Sequence, residues 1–271
     1  MGFFGKGFQG SKTAFWLGCV VVSLFLVSDA VADEGSTASG QPSSPRHRVD
    51  FGVQWYDAAE GEMVIGSLNY SWVPLDHHAF AATVLLVGSD VSNATGSGVG
   101  DTQLQYSWVP SATLTADAWV PKTLGMGFGL IVPTGDAAKG TGADRWIAIP
   151  TLGWVFLIGE RFSILPSLQY LHSFREASSA DDISTANLEL GFLYVWSSGF
   201  WIQYTPSLFR DFEPVDDTNL DHFLLFGMQF SKTLSGSLTL GSIERPPTQN
   251  PSLARNSDEF AELTLHIVLP W

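Results

Sequence analysis

Apolar and polar residues alternate one by one along much of this chain. Between 102 and 108, Thr102, Leu104, Tyr106 and Trp108 share one parity, and Gln103, Gln105 and Ser107 share the other. Between 187 and 196, Leu188, Leu190, Phe192, Tyr194 and Trp196 oppose Asn187, Glu189 and Gly191. Between 124 and 132, Leu124, Met126, Phe128, Leu130 and Val132 oppose Gly125, Gly127 and Gly129. The C-terminal stretch does the same: Ala261, Leu263, Leu265, Ile267, Leu269 and Trp271 alternate with Glu262, Thr264 and His266. Period two places successive side chains on opposite faces of a strand. The pattern predicts twelve strands, near 48–58, 62–74, 78–88, 101–109, 123–133, 146–158, 161–174, 184–197, 199–210, 221–232, 234–244 and 257–271.

The connections have their own rhythm. Long polar stretches are expected at 89–100, 134–145, 175–183, 211–220 and 245–256, with short turns near Glu160, Ser198 and Leu234. Two connections break the rhythm. The one near Glu60 is short, and 110–122 is long enough to hide a further strand.

A water-soluble sandwich also alternates, but its outward parity carries Lys, Glu, Thr and Arg. Here the polar parity is Gln, Ser, Asn, Thr and Gly, and Tyr and Trp recur on the apolar parity near strand ends. Those are marks of lipid-facing strands with interfacial aromatics. The expected fold class is therefore all-β: a transmembrane antiparallel up-and-down β-barrel of outer-membrane type, with about 12 strands and residues 48–271 as its domain.

Composition agrees. Charged residues are only 15% of the 271, while aromatics reach 13%. The first 32 residues read as a signal peptide: Lys6 and Lys12, an apolar run over 14–27, then Ala30-Val31-Ala32, with cleavage expected near Ala32. The run is too short for a comfortable membrane helix. Residues 33–47 are rich in Ser, Gly and Pro and read as a flexible periplasmic leader. Cys19, the single cysteine, lies inside the apolar run, so the exported chain is expected to hold no disulfide. Removing Lys6, Lys12 and Asp29 leaves 11 basic and 26 acidic residues, a net −15. That balance argues against a nucleic-acid partner.

Two stretches are more specific. "GVGDTQLQYSW" (98–108) holds Gly100, Asp101 and Thr102; "GFGLIVPTGDAAKGTGADRW" (127–146) holds Pro133, Thr134, Gly135 and Asp136. Together they resemble the outer-membrane "MetA-pathway of phenol degradation" family, related to FadL-like barrels. The resemblance implies a transporter of hydrophobic or aromatic compounds. The terminal aromatic, Trp271, resembles the signal read by the outer-membrane assembly machinery, although Pro270 before it departs from the usual pattern. The residues also have a plain physical reading. Pro133 ends a strand because it cannot donate to the ladder, and Thr134-Gly135-Asp136 is turn chemistry. Gly125, Gly127 and Gly129 allow the wall to curve or another segment, such as the leader, to approach.

Catalytic and metal chemistry are not expected, and no cofactor is implied. His172 and Ser173 are adjacent, but neighbours on a strand face opposite sides and cannot easily meet. His77 and His78 sit in a turn and point apart. Acidic residues gather at Asp181 and Asp182 and again at Asp211, Glu213, Asp216, Asp217 and Asp221. They match no defined calcium loop and read as solvated loops, with bridging of divalent cations to lipopolysaccharide as a milder possibility. The expected lumen-lining residues are Gln54, Gln103, Gln105, Gln169, Glu189, Gln203, Glu262, Thr264 and His266, mostly neutral hydrogen-bonders. No ring of one charge is apparent, so neither a cation nor an anion pore is indicated. The expected function is passive passage of a small, rather hydrophobic solute. A structural or adhesive surface barrel and a lipid-modifying enzyme remain as alternatives. Expected partners are outer-membrane lipid and lipopolysaccharide, the assembly machinery and the solute; nothing in the pattern selects an oligomeric state.

Overall fold

A computed structural model describes residues 46–58, 61–75, 77–91, 94–109, 123–136, 139, 141–142, 145–176, 183–213, 217–243 and 258–269. They form twelve strands: β1 (Arg46–Ala58), β2 (Gly61–Leu75), β3 (His78–Val91), β4 (Ala94–Trp108), β5 (Thr123–Val132), β6 (Arg145–Ile158), β7 (Phe162–Glu176), β8 (Ser184–Val195), β9 (Phe200–Glu213), β10 (Asp217–Gln229), β11 (Leu234–Ile243) and β12 (Asp258–Leu269). Each strand pairs antiparallel with its sequence neighbours, and β1 pairs with β12, from His47 opposite Leu269 to Asp57 opposite Glu259. The barrel is closed, so every described strand has a partner on each side and no edge remains.

The alternation maps onto the wall as expected. Leu104, Tyr106 and Trp108 face outward and are exposed, whereas Gln103, Gln105 and Ser107 are buried inside. Phe51, Val53, Trp55, Leu68, Tyr70, Leu188, Leu190, Leu263 and Leu265 extend the apolar exterior. Near the short-turn rim, His47 stacks on Trp72 and bonds to the Tyr70 hydroxyl at 2.6 Å, and His78 bonds to that of Tyr106 at 2.8 Å. Such half-polar rings suit a lipid–water boundary. Two short turns need the left-handed backbone that glycine adopts freely: Gly159 at φ 69° and Gly199 at φ 82°.

The strands run further than the alternation showed. β3 reaches Val91 and β4 begins at Ala94, so 89–100 is largely a hairpin and not a long loop. β9 and β10 likewise absorb most of 211–220. Beyond the lipid both faces of a strand are wet, so the apolar parity vanishes while the ladder continues. β1 also begins two residues earlier than the alternation placed it, at Arg46. The signal peptide, the leader up to residue 45, 110–122, the acidic residues Asp181, Asp182 and Asp216, and Trp271 lie outside the described residues.

Candidate functional site in the barrel lumen

The interior is built in patches, each drawn from inward parities of neighbouring strands. One patch crosses the closure between the first and last strands. Arg48 Nε donates to Asp50 Oδ1 at 2.6 Å, and Asn69 Nδ2 donates to Oδ2 at 2.9 Å. His266 Nδ1 lies 2.9 Å from the same Oδ1, and Ser237 Oγ lies 3.1 Å from His266 Nε2. Thr83 Oγ1 donates to Asn69 Oδ1 at 3.1 Å. The patch spans β11, β12, β1, β2 and β3. Arg48 Nη2 also approaches His266 Nδ1 to 2.5 Å. A guanidinium can only donate and a carboxylate can only accept, so Nδ1 takes a proton from Arg48 in one tautomer and gives one to Asp50 in the other. Beside this patch, Thr264 Oγ1 donates to Glu262 Oε1 at 3.1 Å, and Tyr56 Oη to Gln54 Oε1 at 3.3 Å.

A second patch lies across β7, β8 and β9. Ser167 Oγ and Asn187 Nδ2 donate to the two oxygens of Glu189 at 3.0 and 2.8 Å, and Ser207 Oγ donates to Asn187 Oδ1 at 2.7 Å. Glu189 is buried, and among the described residues no cation pairs with it. Gln203 Nε2 donates to Thr205 Oγ1 at 2.9 Å nearby. Gln169, opposite Asn187 in the register, is fully buried, and neither atom of its amide finds a partner. Gln54, Gln103, Gln105, Gln169, Glu189, Gln203 and His266 are buried, and Glu262 and Thr264, half-buried, share the parity of His266 on β12.

The alternation did not reveal what shares that interior with them. Ile65, Leu85, Val87, Ile131, Ile147, Ile149, Leu171 and Phe209 form one packed apolar cluster inside the barrel, joined by Tyr56, Met63 and Ile183. Five of these, Ile65, Ile131, Ile147, Ile149 and Leu171, are 0% exposed. A signal was present. In 84–87 (Val-Leu-Leu-Val), 130–132 (Leu-Ile-Val) and 146–149 (Trp-Ile-Ala-Ile) both parities are apolar. A strand apolar on both parities is dry on both faces. The inner glycines of β5 serve this packing: a Cβ on Gly129 would sit 3.2 Å from Ile149 Cβ, so the isoleucine of β6 fills that space.

The two motif stretches meet at one end of the cluster. Gly135 N donates to Asp101 Oδ1 at 2.9 Å, Thr134 Oγ1 donates to Gly100 O at 2.8 Å, and the Thr102 and Thr134 hydroxyls are 3.0 Å apart. Asp136 N donates to Thr141 Oγ1 at 2.9 Å, and Thr141 N to Asp136 O at 3.0 Å. Pro133 follows the last residue of β5. Asp101 is 0% exposed. The Pro-Thr-Gly-Asp segment is thus latched onto β4 from within, and a Cβ at Gly142 would stand 2.5 Å from Asp101 Oδ1 and 2.8 Å from Gly135.

Where β11 ends at Ile243 and β12 begins at Asp258, a cleft of about 710 Å3 opens. Tyr56, Met63, Phe223 and Phe260 line it from within, Trp55, Leu224 and Leu240 from the outer face, and Glu62 and Glu259 stand among them.

The remaining candidates are placed as follows. His172 stacks on Tyr170 at 6.0 Å and is exposed, whereas Ser173 is buried and accepts from Ile183 N at 2.8 Å; the two face opposite sides. Asp221, expected in a solvated loop, is buried on the inward parity of β10, because the strand begins before it. Asp211 accepts from Thr185 Oγ1 at 2.5 Å.

No family model and no curated protein matches the chain. Solved structures do. An outer-membrane channel from Pseudomonas putida F1 aligns with TM-score 0.60 at 16% identity, over 87% of this chain and 98% of that one. The NanC porin aligns at 0.58 and 7%, over 81% and 98%. The KdgM porin in complex with disordered oligogalacturonate aligns at 0.52 and 12%, over 81% and 98%. This is an outer-membrane-type β-barrel. At these identities the likeness is one of fold, and the function has to be argued from the interior.

Proposed function

We propose that this chain is an outer-membrane channel that admits small, largely apolar solutes. The observation that carries the reading is the apolar cluster inside the barrel. A channel for ions would present rings of one charge, and one for sugars would present polar partners at its narrow level. The cluster packed inside this barrel is isoleucine, leucine, valine and phenylalanine. The cleft where β11 ends and β12 begins has the volume of a small-ligand pocket and a partly aromatic lining, which suits entry of such a solute. The resemblance of 98–108 and 127–146 to the phenol-degradation family supports the same solute class. The apolar exterior supports a place in the outer membrane, in contact with lipid and lipopolysaccharide.

A second reading, a sealed structural barrel, draws on the complete burial of the cluster. Equilibrium binding separates the two. The folded barrel should bind a small aromatic hydrocarbon saturably and glucose not at all, and Ile147→Ser with Ile149→Ser should weaken binding about tenfold or more. Binding unaffected by both substitutions would remove the cluster from the pathway; no binding would favour the sealed barrel.

A further inference from the structure

Ser237, His266 and Asp50 stand on three adjacent strands, β11, β12 and β1, with their side chains meeting inside the lumen. The hydroxyl is 3.1 Å from Nε2 of the imidazole, and Nδ1 is 2.9 Å from the carboxylate. With its ring proton on Nδ1 toward Asp50, His266 presents Nε2 as a base to the hydroxyl; Arg48 Nη2 lies 2.5 Å from the same Nδ1. Asp50 is itself held by Arg48 on one oxygen and Asn69 on the other, and Thr83 holds Asn69. His266 and Asp50 are 8% and 4% exposed, while Ser237 is only half-buried, so the hydroxyl is the member most open to a visitor.

We propose that this is a nucleophilic serine site, with Ser237 as nucleophile, His266 as general base and Asp50 as its orienting carboxylate. The order hydroxyl, imidazole, carboxylate is that of a nucleophile, its base and the group that orients the base. The neighbouring residue names a substrate class. Ser237 registers against Gly227 on β10, and Gly227 lacks a side chain because the Trp201 indole lies across it. The surface beside the hydroxyl is thus a flat apolar ring. The charge of Arg48 is taken up by Asp50. The class that fits is a small neutral ester with an apolar or aromatic acyl group.

In the first step Ser237 Oγ bonds to the ester carbonyl carbon and its proton passes to His266 Nε2. The ester C–O bond then breaks, and the leaving alkoxide takes that proton and departs as an alcohol. Water next attacks the acyl-serine and gives a proton to His266. That proton returns to Ser237 Oγ as the carboxylic acid leaves.

The test uses the folded full-length barrel in detergent micelles, treated with a fluorophosphonate and, separately, with p-nitrophenyl acetate. The expected result is phosphonylation of Ser237, located by mass spectrometry, and ester turnover that falls about 10²–10⁴-fold in His266→Ala and in Ser237→Ala. Folding of each variant is read from faster migration on SDS gels before boiling. His266→Gln, which keeps a side chain able to hydrogen-bond, serves if the alanine variant fails to fold, and it should lose labelling too. Absence of label on Ser237 in the folded wild type would overturn the proposal. So would labelling that survives loss of the imidazole.

Discussion

Gln169 shows what parity reveals and what it hides. Its inward direction was legible, because it shares parity with Ser167 and Leu171 on β7. Its isolation was not, because the surrounding partners come from β6 and β8 and are taken up elsewhere: Asn187 by Glu189 and Ser207. A buried amide with neither atom bonded costs about 1–3 kcal/mol for each lost partner. Gln169→Leu should therefore raise the urea midpoint of unfolding rather than lower it, and a fall of similar size would mean that the amide has a partner in solution. Asp50 is the opposite case. It accepts from Arg48 and Asn69 and meets His266, a contact across 216 positions that no local pattern encodes. Asp50→Ala removes the carboxylate that Arg48, Asn69 and His266 share and should cost about 3–5 kcal/mol. The unfolding midpoint measured by heating before SDS electrophoresis would fall accordingly, and an unchanged midpoint would show the pair to be exposed in practice.

At the level of elements, all twelve strands were visible as alternation, and their ends were not. β3–β4 and β9–β10 continue past the lipid boundary through Gly, Ser, Thr and Asp, residues that read as loop. The latch between the turn after β5 and β4 was visible only as two motif stretches; that Asp101 accepts from Gly135 needed the fold. Gly142 is the vulnerable point, since a methyl there would press on both Asp101 and Gly135. Gly142→Ala should release the segment 133–142 and make it a site of limited proteolysis in the folded barrel. Resistance equal to wild type would show that the latch tolerates the methyl.

The described residues form a closed wall with an apolar exterior and an interior divided between polar patches and apolar clusters, the larger built around Ile65, Ile131, Ile147 and Ile149. The exterior was legible because lipid demands one unbroken apolar parity. The cluster was harder to read because inward apolar residues break the alternation and resemble simple runs, as in 84–87 and 146–149. The account stands on the claim that this interior passes apolar solutes and not polar ones. The direct measurement is solute entry into liposomes carrying the purified barrel, with a small aromatic, a charged amino acid and a small sugar compared against protein-free liposomes. The account predicts that the aromatic enters faster than the bare bilayer allows, that Ile147→Ser with Ile149→Ser changes that rate, and that the other two solutes stay out. Rapid entry of the sugar or the amino acid would contradict it, as would an aromatic rate no different from protein-free liposomes.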